Sequence, residues 1–242
     1  MWFCRMKSLI LSSLSGCIFP TKTQRTQRTQ SFLCVFVGSI YSIFILACSP
    51  NILSGFQKAG TKEIAESELY PFFREIDGMR FFNMEIDFNK NNFSGMLIIK
   101  KENADTYRAV MTSYFGMSVF DFQFGKDDFT VHYCLEDLNK KQVINTLKKD
   151  FENLFFMDVE GKNPVTVYAS RANDSLKVYK TKKENHYYLV NTESKELRQM
   201  EIPHRISSLQ YRFTNYNNRF PSQINIKHTN IGLNIQLTGI ER

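Results

Sequence analysis

Five cysteines, four histidines and a few adjacent carboxylates are the side chains of this sequence that could carry out chemistry. A thiol can attack a carbonyl or bind zinc, an imidazole can move protons, and paired carboxylates can act as acid and base. Their placement argues against each of these. Cys4, Cys17, Cys34 and Cys48 fall in the first 48 residues, which leaves Cys134 alone in the rest of the chain. One thiol cannot close an internal disulfide, and without a second cysteine near a histidine pair it cannot build the usual zinc site. In His132-Tyr133-Cys134-Leu135 it reads as a half-buried strand residue. His132, His186, His204 and His228 are dispersed, and the pair Asp127-Asp128 sits in a predicted turn. No Gly-x-Ser-x-Gly, His-Glu-x-x-His, phosphate-cradling glycine loop or dinucleotide fingerprint occurs. The expectation is a protein that is not an enzyme and holds no metal or cofactor.

The remaining chemistry is that of Cys48 and the segment before it. Ser31 to Ala47 reads SFLCVFVGSIYSIFILA, uncharged and preceded by Arg25 and Arg28. Basic flank followed by apolar run is the order of a secretory signal. A run of this length, just under that needed to cross a bilayer, also allows a retained transmembrane anchor. The ending Ile45-Leu46-Ala47-Cys48 resembles the lipobox of bacterial lipoproteins, in which a small residue directly precedes the cysteine that receives lipid. Leu14-Ser15-Gly16-Cys17 fits the same pattern after a shorter apolar run. Cleavage there would leave the second hydrophobic segment in the mature chain. Residues 1–30 are therefore read as an over-extended start and residues 1–48 as the leader. The lipobox resemblance implies a membrane partner engaged through an N-terminal lipid such as palmitate on Cys48. Ser49-Pro50-Asn51-Ile52 lacks the acidic cluster that marks some surface-exported lipoproteins. A periplasm-facing position at the outer membrane is the corresponding expectation.

Charge separates along the same boundary. The chain carries 31 basic and 24 acidic residues; Arg5, Lys7, Lys22, Arg25 and Arg28 lie in the leader, which has no acid, so the body holds 31 − 5 = 26 basic against 24 acidic residues. A net +2 gives nucleic acid no electrostatic reason to bind.

Periodicity supplies the elements of the body. Residues 49–61, with Pro50, Gly55 and Gly60, read as a tether, and 62–242 as a single β-rich domain. Lys62 to Glu75 predicts a short helix that Pro71 must end or kink. Beyond Gly78 apolar residues alternate: Phe82-Met84-Ile86-Phe88, Tyr107-Ala109-Met111, Phe120-Phe122-Phe124, Phe129-Val131-Tyr133-Leu135, Leu209-Tyr211-Phe213, Ile224-Ile226 and Ile231-Leu233-Ile235-Leu237. Turns are predicted at Asn89 to Asn92, Gly125 to Asp128 and Asn215 to Asn218. The parity of the alternation flips near Val119-Phe120, which predicts a bulge. One helix, 138–156, interrupts the strands, with Asp137 as N-cap and Ile144, Leu147, Phe151, Leu154 and Phe155 on its dry face. Lys140, Lys141, Lys148 and Lys149 read as its solvated side. Short strands follow at 165–170, 175–181, 185–191, 197–202, 205–214, 221–228 and 230–238.

Two passages add a family resemblance. Tyr107-Arg108-Ala109-Val110 leads into Tyr114-Phe115-Gly116-Met117-Ser118-Val119-Phe120, and Phe220-Pro221-Ser222-Gln223-Ile224-Asn225-Ile226 forms a Pro-led penultimate strand. With the order helix, strands, long helix, strands, they resemble the LolA/LolB-like lipoprotein-localisation fold. The resemblance implies a mainly β (α+β) class: a curved, unclosed antiparallel barrel of about 10–12 strands packed on helices. It also implies non-catalytic binding of lipid or lipoprotein acyl chains, in lipoprotein sorting or insertion. The residues expected to line such an apolar interior are Phe82, Met84, Ile86, Phe120, Phe122, Tyr211, Phe213, Leu233 and Ile235. The alternative is a structural or assembly lipoprotein whose aromatic interior is filled and whose outer surface meets a partner protein.

Overall fold

The alternating runs form strands because each puts one apolar row on the same side of the backbone. The computed structural model describes residues 51–88, 91–155, 163–181, 185–204 and 207–240; the leader, Cys48 included, lies outside them. From Pro50 onward the chain is one compact unit. Thirteen strands are present among the described residues: β1 (Phe56–Ile64), β2 (Met79–Phe88), β3 (Asn91–Asn103), β4 (Thr106–Ser113), β5 (Ser118–Gly125), β6 (Phe129–Cys134), β7 (Asn163–Ser170), β8 (Leu176–Thr181), β9 (Tyr187–Asn191), β10 (Glu196–Pro203), β11 (Ser208–Asn217), β12 (Phe220–His228) and β13 (Leu233–Gly239). They pair antiparallel in one sheet of order β1-β7-β8-β9-β10-β11-β12-β13-β2-β3-β4-β5-β6. The sheet does not close: β1 and β6 are its two edges. The unclosed antiparallel sheet expected from the sequence is therefore present, with one strand more than the upper expectation.

The single α-helix among the described residues, α1 (Lys141–Phe155), follows edge strand β6 and precedes β7 near the opposite edge. Thirteen strands at about 4.8 Å spacing would span about 60 Å if flat. Yet Ile64 of β1, Val165 of β7, Tyr179 of β8 and Phe124 of β5 belong to one core together with Leu147, Phe151, Leu154 and Phe155 of α1. Only a curved sheet can enclose one 15-residue helix from both sides. The helix presents the predicted dry face, with Ile144 half-buried at its margin. It is also shorter than predicted. Asp137 stands outside it, because Leu135 to Asn139 form a separate turn in which the Asn139 N–H donates to Leu135 O.

Three other expectations are corrected. Residues 56–61 of the predicted tether belong to strand β1, paired with β7 from Phe56–Ser170 to Ile64–Asn163 with a register shift between Lys58 and Gly60. An edge strand with one wet face and a bulge needs few apolar residues, so its sequence looks like a linker. The predicted helix at 62–75 is instead the end of β1 followed by two 3-10 turns, Glu66–Leu69 and Phe72–Glu75. Pro71 separates the turns, and Leu69, Phe72 and Phe73 enter the core. The turn expected at Asn215 to Asn218 is tighter and later: β11 continues to Asn217, which pairs with Phe220. Asn218 and Arg219 both take positive φ, 47° and 69°, as a two-residue hairpin requires. The bulge expected near Val119 is present. Met111 pairs with Phe120 and Thr112 with Ser118, so Val119 is the extra residue and is buried beside Phe120.

Candidate functional site

The nine residues expected to line an apolar interior are all buried. Curvature brings them to one face, but most of them fill it. Phe120 stacks on Phe122 at 4.6 Å, and Phe124 packs between Phe151 and Phe155 of α1. Tyr211 stacks on Phe213, which meets Phe72 edge-on at 5.1 Å. The plug residues Phe72 and Phe73 close this end against Phe220. Phe82 borders a separate open pocket of about 300 Å³ between the ends of β2 and β12. Met84 and Ile235 are enclosed within the core.

Ile86 and Leu233 are different, because they reach free space. Near the β2–β3 and β12–β13 turns, the first turns of α1 stand off from the sheet and leave a cleft of about 510 Å³. Its walls are apolar: Ile86 and Phe88 from β2, Leu233 from β13, Ile231 before it, and Leu138 and Val143 from the helix side. Gln142, Thr146 and Lys140 supply its polar atoms, and the Thr146 hydroxyl donates to the Gln142 carbonyl at 2.8 Å. Beside it lies a polar pocket of about 350 Å³ lined by Asn91, Asn92, Phe93, Asp137 and Lys140. Lys140 lines both. Sequence periodicity could not reveal this cleft, since Phe88, Val143 and Ile231 look like ordinary core positions.

A second feature projects from the surface. The β4–β5 turn, which opens toward the same end of the sheet, carries Tyr114 at 61%, Phe115 at 93% and Met117 at 65% exposure. Gly116, at φ 82°, closes it, and Ser113 braces it by accepting the Met117 N–H at 3.1 Å. Three large apolar side chains held in water by an ordered turn form a surface suited to an apolar partner.

Several titratable groups tie elements together. Asp150 of α1 is buried, and its two carboxylate oxygens each lie 3.0 Å from Nε2 of His228 on β12. Burial raises the Asp150 carboxyl above the usual carboxylate range, and the hydrogen bond from His228 opposes that rise. Tyr211 donates its hydroxyl proton to the Asp150 carbonyl and accepts from the Asn153 amide. This latch joins helix to sheet. On β4 and β5, Arg108 forms a two-pronged pair with Asp121 at 2.9 and 2.7 Å, which holds the Asp121 carboxyl low. Buried Glu201 of β10 accepts the Ile52 N–H at 3.1 Å. Burial raises its carboxyl, and the backbone N–H groups of Ile52 and Asn51 oppose the rise. Cys134 is a free, half-buried thiol whose pKa burial raises, opposite to the requirement for a nucleophile. Among the described residues no group of three metal-binding side chains converges, and no helix is long and apolar enough to cross a membrane. Sequence reasoning missed the latch, although a carboxylate between Leu147 and Phe151 on a dry helical face is its signal.

No family model matches the chain, and no curated protein matches it in sequence. Similar solved structures include a LolA superfamily protein from Nitrosomonas europaea, at 10% identity and a TM-score of 0.47, covering 73% of this chain and 91% of that one. A DUF1329 family protein from Desulfovibrio piger, at 9% identity and a TM-score of 0.29, covers 72% of this chain and 90% of that one. A putative outer membrane lipoprotein-sorting protein domain from Vibrio parahaemolyticus has 9% identity and a TM-score of 0.28, with the same two coverages.

Proposed function

We propose that this protein is a non-catalytic binder of an acyl chain in the bacterial envelope, lipid-anchored through Cys48 and facing the periplasm. The observation that carries this reading is the apolar cleft between the start of α1 and strands β2 and β13. Its walls offer dispersion contacts and dehydration, with Lys140 near the opening as its charged group. Burial of each methylene contributes about 0.8 kcal/mol, so a chain can be held without a polar anchor in the wall. The exposed Tyr114, Phe115 and Met117 supply the surface that meets lipid while cargo enters or leaves.

The packed aromatic interior favours a second reading. Rings that fill the concave face leave a rigid scaffold, and the same exposed turn then docks a partner protein. A fluorescent C16 fatty acid added to a chain beginning at Ser49 separates the two. The expected result is saturable binding that lipid-modified peptide competes away and that Val143→Trp, filling the cleft, abolishes while the melting temperature is kept. Absence of binding, with a partner protein captured stoichiometrically, would replace the carrier by the scaffold.

A further inference from the structure

The cleft does not end in bulk solvent on every side. It adjoins the polar pocket, and Lys140 belongs to the lining of both. An apolar compartment joined to a polar one through a single cation has the layout of an amphiphile, with tail on one side and head on the other. The cleft, about 510 Å³, has room for an acyl chain.

The polar side defines the head. Lys140 carries no ion pair among the described residues and sits just ahead of α1, whose first helical residue is Lys141. An ammonium in that position calls for an anionic oxygen. Asp137 lines the same pocket, so a second anion is disfavoured and a donor is wanted near it. The Asn92 amide already donates to Asp87 at 2.7 Å, while Asn91 contributes a further amide to the lining. Phosphate joined to a hydroxyl or an ammonium satisfies both charges; a bare fatty acid satisfies only the first.

We propose that the paired cavities bind a monoacyl phospholipid, its chain between α1 and β2/β13, its phosphate on Lys140 and its head-group donor toward Asp137. This rests on the acyl-chain reading above and adds the identity of the head.

Isothermal titration with palmitoyl-lysophosphatidylethanolamine and with monopalmitoylglycerol, below their micellar concentrations, tests it. The phosphorylated lipid should bind about tenfold tighter, and Lys140→Glu should remove that advantage, costing the phosphorylated lipid more affinity than monopalmitoylglycerol. Asp137→Ala should weaken the ethanolamine lipid several-fold and should not weaken palmitate. Equal affinities for both lipids, unaltered by Lys140→Glu, would overturn the head-group assignment and keep the acyl-chain reading. Binding of neither lipid nor palmitate would overturn both. Lys140 and Asp137 are exposed, so these variants should fold, and a matching melting temperature confirms it.

Discussion

Asp150 and His228 are the residues on which the helix–sheet junction depends most sharply. Removing one member of a buried pair leaves the other unpaired, which costs about 3–5 kcal/mol. His228→Ala should therefore destabilise strongly in urea unfolding near neutral pH. The pH dependence has a definite sign. Without the imidazole, burial raises the Asp150 carboxyl further above its unfolded value, so the folded state favours its neutral form. That contribution is fully present below the ordinary carboxylate range and is lost as pH rises through the raised value. The deficit of His228→Ala relative to the parent should thus grow from acid to neutral pH. A deficit constant across that range would mean the pair contributes no charge interaction. Replacing both residues by leucine should recover most of the loss. None of this was legible from spacing, because 78 residues separate the partners. The apolar positions, by contrast, were legible one by one: every alternating residue from Phe82 to Ile86 points into the core.

At the scale of elements, α1 and most of the strand alternation are legible because a dry face imposes a period; edge strand β6 is the exception, its Val131 and Tyr133 being exposed. Phe151→Ala should cost about 3–5 kcal/mol, since its ring packs against Phe120, Phe124 and Phe155. Lys148, expected to be a free solvated residue, instead pairs with Glu152 at 3.5 Å and lies over the Phe129 ring. Lys149→Ala is the better surface control and should stay within about 0.5 kcal/mol of the parent in the same melt. Equal losses for Phe151→Ala and Lys149→Ala would mean that the buried face of α1 is misassigned. Elements without a clean period were the ones missed. In β3 the run Met96-Leu97-Ile98-Ile99 is apolar on both faces, so it shows no alternation even though Leu97 and Ile99 are inward. Gly95 beside it has no room for a side chain, because a Cβ would lie 2.0 Å from the Thr112 carbonyl oxygen. Such close backbone approach has no periodic signature. The cleft was hidden for a related reason: it arises where the helix start departs from the sheet, and no residue type records a gap.

For the molecule as a whole, the contact between Ile52 and Glu201 changes how an acylated N-terminus would behave. Ile52 is buried in a small cluster with Val178 and Tyr187, and its N–H is held by a carboxylate 149 residues away. Four peptide steps separate Cys48 from Ile52, which fully extended reach about 14 Å. A lipid on Cys48 would therefore leash the domain at roughly the depth of the head-group layer, with little freedom to swing or to cross the gap between two membranes. Cargo would have to come to a stationary berth rather than be carried away by it. Cys48→Ser should block both lipid attachment and cleavage, so that the variant keeps its leader and does not fractionate and migrate like the parent. Inserting about twenty Gly/Ser residues after Ser49 should preserve fractionation yet lengthen the distance from bilayer to a fluorophore placed on the β4–β5 turn. An unchanged distance would show that the domain is held down by its own surface and not by the shortness of its leash.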